Sequence, residues 1–239
     1  WTPQERVFTW AAISRAVRAP NRLDRDLKIF LAGPNLSFMP GNPNFDSEKL
    51  VAYEWGLRYW TEQAFSADLA LYFNDYSGLK STEATPPPFG TYDNQLKGKG
   101  HGAELNLNWQ PLTIVDVRAW YAYSALHLRA EAGSTDSGTA QATEGSNPHH
   151  NAGMNLNWRP AASWTLDATL RYVSAVSTGA IPAYSDLNLR AGYRVLDNLE
   201  VSLVGNNLLN PQHAEFGLDS AARLEATRGV FAQLDWTWE

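Results

Sequence analysis

The chain of 239 residues contains no cysteine, which excludes disulfides and thiolate metal sites. No apolar run approaches the roughly 20 residues that a membrane-spanning helix needs. Basic residues are in the minority, 19 against 25 acidic ones, and the net charge of -6 argues against a nucleic-acid partner. There is no initiator Met and no signal peptide at Trp1, and an alternating pattern is running almost at once. The expectation is a piece of a longer precursor. The mean hydropathy is low, -0.37. That value leaves a membrane barrel open, because alternating strands are only half apolar.

Aromatic residues, by contrast, are abundant, with ten Trp and ten Tyr. The stretch 184–210 shows how they are used. Leu187, Leu189, Ala191 and Tyr193 alternate with Asp186, Asn188, Arg190, Gly192 and Arg194. Asp197 and Asn198 make a turn. Leu199, Val201 and Leu203 then alternate with Glu200 and Ser202. A period of two puts apolar side chains on one face of a sheet and polar ones on the other. Two such runs around a short Asp/Asn turn predict an antiparallel hairpin.

The same pattern recurs along the chain. It predicts strands near 6–17, 48–60, 65–76, 95–109, 113–128, 150–158, 164–173 and 224–238, besides the two above. In the first, Phe8, Trp10 and Ala12 share one side. In the second, Val51, Tyr53, Trp55, Leu57 and Tyr59 oppose Glu54, Gly56 and Arg58. Irregular segments are expected at 18–47, 77–93 (with Pro86, Pro87 and Pro88), 129–148, 174–183 and 208–222. The connections therefore alternate, long then short. Long loops at one end and tight turns at the other mark an outer-membrane barrel. Strands of soluble sandwiches are shorter, typically about 5–6 residues. Tyr59, Trp109, Tyr123, Trp158, Trp164, Tyr193 and Trp238 lie near strand ends, where aromatic girdles sit in a bilayer. The expected fold is all-β, an antiparallel transmembrane β-barrel of about ten strands. Its apolar face would meet lipid and its polar face a lumen. Open edges are costly in lipid, so the strands either close alone or belong to a larger barrel.

Short motifs then carry a resemblance. They are Ser14-Arg15-Ala16-Val17-Arg18-Ala19-Pro20, the Glu54, Gly56, Arg58 strand, and Gly100, Gly102, Glu104. Further on come Asn206-Asn207-Leu208-Leu209-Asn210 with Glu215-Phe216-Gly217, and Arg228-Gly229 before the last strand. In this order they resemble the C-terminal half of a TonB-dependent outer-membrane receptor, with His213 where the family usually has Tyr. The resemblance implies a barrel of about 22 strands around an N-terminal plug, of which residues 1–239 would be the last ten strands. It implies uptake of a scarce nutrient complex, such as a ferric siderophore, haem or cobalamin. Loops would capture the ligand, and the TonB complex would drive import through the plug, which this chain lacks. It implies no enzymatic activity and no cofactor. Leu234, Trp236 and Trp238 would serve as membrane anchors and as the signal read by the barrel assembly machinery. The family usually ends on Phe or Trp, whereas Glu239 follows Trp238 here.

Each candidate site has a plainer reading beside it. His149 and His150 could bind metal, but neighbours on a strand point to opposite faces, so surface histidines are favoured. Asp116, Arg118, Asp167, Arg171, Asp186 and Arg190 could line a substrate path; cross-strand pairing on the lumen wall is favoured. Trp120 could stack on a ligand, or pack on a plug or a loop. Gly100 and Gly102 lack the helix, Lys and Ser/Thr of a phosphate loop, so a bulge or a close backbone approach is expected. Two other classes stand beside the receptor: a self-contained ten-stranded barrel (a rim protease using His127 with Asp75 or Asp93, or a small porin), and a soluble β-sandwich or adhesion module.

Overall fold

Alternating strands can cover their apolar half only by pairing into a sheet that something else then packs against. The computed structural model describes residues 1–28, 41–62, 64–84, 90–217 and 223–238. Ten strands form one antiparallel meander: β1 (Val7–Arg18), β2 (Glu48–Thr61), β3 (Phe65–Ala84), β4 (Gly90–Leu112), β5 (Val115–Ala130), β6 (His150–Ala161), β7 (Trp164–Val173), β8 (Tyr184–Leu196), β9 (Leu199–Asn206) and β12 (Gly229–Trp236). A separate small hairpin, β10 (Gln212–Ala214) with β11 (Glu225–Thr227), sits between β9 and β12. Two short helices lie in the long connections, α1 (Arg22–Asp26) and α2 (Thr139–Glu144). Among the described residues no ladder joins β1 to β12, so the sheet has two edges.

Two expectations need correction. First, much of 77–93 is not irregular. β3 and β4 run on to Ala84 and Gly90 as a projecting hairpin. The register shifts between Tyr76 and Leu79 and again between Leu79 and Ser81, with Gly78 at φ +62. A bulge of this kind inserts an unpaired residue, and the strict alternation that marks a strand is lost there. The triplet Pro86, Pro87 and Pro88 lies outside the described residues, as do Gln63 and Glu239.

Second, the last strand is two. β11 pairs with β10, and at Arg228 the chain turns, its N–H donating to the Pro211 carbonyl, before β12 joins β9. Phe8, Trp10 and Ala12 share one face of β1, as expected. They pair with Arg58, Gly56 and Glu54, so that face is the polar one. The other ladders keep the two faces as read. Tyr53, Trp55 and Leu57 pair with Phe73, Leu71 and Leu69, while Arg58 pairs with Asp68.

The sheet has little interior. Among the described residues the buried apolar ones are Phe45, Ala52, Leu96, Ala125, Val173, Ile181 and Ala214, mostly small and set in the loops or the outer thirds of strands. Large apolar side chains are half exposed along the whole apolar face: Trp55 39%, Trp109 50%, Trp164 46%, Leu203 58%. A continuous apolar wall of this extent needs a nonaqueous cover.

Candidate functional site

The polar face is built from cross-strand pairs of an aromatic ring and a glycine. Trp10 faces Gly56, Tyr72 faces Gly102, and Trp120 faces Gly153. Each aromatic side chain reaches into the space a Cβ on its glycine would occupy. At Gly153 a Cβ would come 2.1 Å from Trp120, and at Gly56 2.1 Å from Trp10. Close cover of a strand glycine by a neighbouring ring stabilises the pair and fixes its register. Trp120 therefore packs on the sheet itself, its indole N–H reaching the Asn151 amide oxygen at 3.4 Å. Gly102 and Gly100 make room for Tyr72 and Tyr76, so close approach is their role. Hydrophobicity alone does not say which face Phe8 and Trp10 take. The Gly56 signal one strand away would have placed Trp10.

The inward charges pair across strands. Asp116 accepts from Arg159 at 2.6 Å, Arg58 pairs with Asp68, and Arg190 bridges Asp167 and Glu200. Arg171 goes to Glu215 in the loop after β9 rather than to Asp186, its ladder partner. Asp186 instead accepts from Asn188. These pairs brace the wall.

At the end that carries the long connections, side chains clamp the loops over the polar face. Asp24 of α1 is fully buried. Burial pushes its carboxyl up, but the Asn21 backbone N–H and the Lys80 and Arg18 cations outweigh this and hold it below its ordinary range. The tip of the β3–β4 hairpin is tied to the loop between β5 and β6. Glu83 accepts from Ser134 and Thr135, and Asp136 accepts from the backbone N–H groups of Thr82, Gly138 and Thr139. These bonds overcome burial and lower both carboxyl pKa values.

The Asn206–Asn210 motif folds the next loop back. Asn207, at φ +51, takes the Asn188 oxygen on its N–H and donates its amide to Ala226. His213 stacks on Tyr184 at 4.1 Å and approaches Glu215 at 3.3 Å. Glu215 is itself held below its ordinary range against burial by Arg171 and His213.

Between this rim and the wall lies a cavity of about 380 Å³. Tyr72, Tyr76, Glu54 and Glu104 line it from the sheet, and Glu144 and His149 from the loop. It offers aromatic faces, carboxylates and one imidazole to a bound molecule. His149 and His150 diverge: His149 donates from Nδ1 to the Ser124 carbonyl, 2.9 Å away, while His150 meets the Tyr121 hydroxyl at 2.8 Å on the other face. Among the described residues no group of three or more His, Asp or Glu is placed to hold a metal ion. Asp75 and His127 share a hollow on the apolar side of the sheet, away from this cavity.

The β-barrel domain model of TonB-dependent receptor-like proteins matches residues 1–208. The chain belongs to the TonB-dependent receptor family. Solved structures similar to it include the siderophore receptor PirA from Pseudomonas aeruginosa (20% identity, TM-score 0.65, covering 98% of this chain and 38% of that one). The FrpB iron transporter from Neisseria meningitidis is similar at 15% identity with TM-score 0.74, over 99% and 38% of the two chains. The copper transporter OprC follows at 16% and 0.66, over 97% and 37%. The chain thus spans under two-fifths of these receptors. No curated protein sequence matches it.

TonB-dependent receptors are outer-membrane β-barrel proteins, and this one carries a continuous apolar wall on one face of its sheet. Two aromatic belts bound that wall. Trp109, Trp158, and the Trp164–Tyr193 pair at 4.9 Å lie at the tight-turn end. Tyr53 with Phe73, Tyr121, Tyr123 and His150 lie at the loop end. On β3, Phe65 and Phe73 are eight residues apart. That is about 26 Å along the strand, of the order of the apolar band. Leu234 and Trp236 project from the apolar face of β12, and Trp236 stacks on Trp238 at 4.5 Å.

Proposed function

We propose that residues 1–239 form the C-terminal wall of an outer-membrane receptor that imports a scarce nutrient complex of the ferric-siderophore, haem or cobalamin class. The loops at 18–47, 77–93, 129–148, 174–183 and 208–222 are its ligand-capturing surface. The TonB complex powers import through a plug that lies outside this chain. The observation that carries this reading is the clamped rim over the polar face, with the Tyr72, Tyr76, Glu104 and His149 cavity beneath it. Loop residues already held by hydrogen bonds, such as Asp24, Glu83 and Asp136, suit capture of a dilute ligand, because the cost of ordering them falls on folding rather than on binding. The two sheet edges support the larger barrel over a self-contained one, since unpaired strands are costly in lipid. The siderophore, iron and copper names of the similar structures favour a metal complex as cargo.

The test uses the whole receptor in cells that lack their other iron receptors. Binding and uptake of radiolabelled ferric siderophores are measured with and without residues 131–147. Loss of high-affinity binding, with the barrel still in the outer membrane, is the expected result. Uptake that continues without TonB, at a rate set by solute size, would replace the receptor by a porin.

Leu234, Trp236 and Trp238 are proposed as anchors and as the assembly signal. A Trp236→Ala/Trp238→Ala receptor should show several-fold less heat-modifiable barrel in the outer membrane and more in periplasmic inclusions. Leu234→Ala should have the smaller effect. Insertion of both variants equal to that of the unaltered receptor would remove the assembly role.

A further inference from the structure

The cavity beneath the rim carries charge of one sign. Glu54 and Glu104 line it from the sheet and Glu144 from α2, and among the described residues no lysine or arginine does. Elsewhere on the polar face carboxylates hold arginines: Asp68, Asp116, Asp167 and Glu200 are each in an ion pair. Glu54 and Glu104 enter none, and neither accepts a hydrogen bond among the described residues. The ladders give the reason. Glu54 stands between Ala12 and Tyr72, and Glu104 between Ala70 and Ala122. The next inward cation on β2 is Arg58, about 13 Å along the strand and already paired with Asp68. At the rim, Arg18 and Lys80 are held by Glu48 and Asp24.

The open hydrogen-bonding capacity of the cavity is mostly that of acceptors. Both oxygens of Glu54 and of Glu104 are available. Glu144 uses Oε1 on the Leu128 N–H, which leaves Oε2. Since His149 donates from Nδ1 to the Ser124 carbonyl, Nε2 of the neutral ring carries a lone pair. The Tyr72 hydroxyl proton goes to Ser124 Oγ at 3.1 Å, within the wall itself. Tyr72 and Tyr76 add ring faces, which attract cations. An unpaired carboxylate in a partly enclosed site is best satisfied by a donor that brings positive charge with it. We infer that this cavity selects a metal complex with a pendant ammonium arm and disfavours anionic complexes. Glu54 and Glu104 are its specificity-determining residues: they receive the arm, and the tyrosine rings flank it. The inference rests on the receptor reading above and narrows its cargo by charge.

The test measures binding of three radiolabelled ferric complexes to the whole receptor in detergent. One is the trihydroxamate complex of desferrioxamine B, whose chain ends in an ammonium. The second is the same complex with that amine acetylated. The third is a ferric tris-catecholate, an anion. The ammonium complex should bind about tenfold more tightly than its acetylated form, the worth of one hydrogen bond to a charged group. The catecholate should bind more weakly than either, and the ammonium preference should shrink as salt is raised. In Glu54→Gln/Glu104→Gln the ratio of the first two affinities should fall to within about threefold. The ratio is taken within one protein, so loss of folded receptor cancels from it. Asp197→Asn, in the tight turn between β8 and β9, should leave the ratio unchanged. Equal or tighter binding of the acetylated complex or of the catecholate overturns the inference and leaves the receptor reading standing. An ammonium preference that survives the double variant does the same. Binding of none of the three overturns the receptor reading, and the inference with it.

Discussion

A receptor carrying Gly153→Ala should lose about 2 kcal/mol of folding stability, because the new methyl group meets the Trp120 ring at 2.1 Å. All three nearest atoms at that position belong to the one indole, so the clash has a single source. Trp120→Ala removes the ring and should itself cost a similar amount through lost cover of the strand. The double variant should then be more stable than the sum of the two predicts, by at least about 1 kcal/mol. Gly56→Ala and Trp10→Ala should behave alike, for the same reason. Gly138→Ala is the comparison: a Cβ there meets nothing within 4 Å, so the change should stay within about 0.5 kcal/mol. Urea unfolding of the barrel in detergent, followed by tryptophan fluorescence and gel mobility, measures all of these. Additive losses would mean that the rings only happen to overlie the glycines and do not set the register.

These pairs also mark the limit of what alternation can convey. Hydrophobic period alone placed nine of the strands and both faces of β2 to β9, since side-chain direction flips every residue in a regular ladder. It left the face of Trp10 open, because an aromatic ring can belong to a polar face when a glycine opposite gives it a surface to lie on. That fact sits in another strand, and only the register brings the two together. The projecting β3–β4 hairpin was hidden by Gly78 and its bulge, which put the alternation out of phase where the strand leaves the membrane. Beyond that point loops pack on the hairpin and bury Ser81 and Leu96, so no continuous apolar face remains to be read. The rim was invisible for a related reason. Glu83, Asp136 and Asp24 act through hydrogen bonds to residues about fifty positions away, or to their own loop's backbone. A polar loop gives no sign of which carboxylate will be buried. The Asn206–Asn210 motif was recognised by resemblance; its work is now specific, since Asn207 and Asn210 hold the loop against β8.

The same logic gives the second large effect, at Asp24. Its carboxylate is buried, accepts from Lys80 at 3.1 Å and Arg18 at 3.3 Å, and closes a capping box with Asn21. Its carbonyl takes the Asn42 N–H, and Arg25 holds the buried Phe45 by its carbonyl. One side chain therefore fastens α1 to β1 and β3 and folds the connection between β1 and β2 onto the rim. Breaking a buried pair costs about 3–5 kcal/mol, but Lys80 and Arg18 are 35% and 45% exposed and are partly resolvated, which brings the cost nearer 2 kcal/mol. Asp24→Ala should thus raise the population of the open loop about thirtyfold, seen as faster amide exchange at Asp24 and Asn42. The barrel's global unfolding should move little, because the opening is local. Acid should imitate the substitution. The folded carboxyl lies below its ordinary value, so its stabilisation is complete above about pH 4 and disappears as pH falls through the folded pKa. Exchange at these two amides, corrected for its intrinsic pH dependence, should be flat from pH 8 to about pH 4 and rise below that. In Asp24→Ala it should already be high and should stay flat throughout. A rise near neutral pH, or the same acid-induced rise in the variant, would place the switch in some other group.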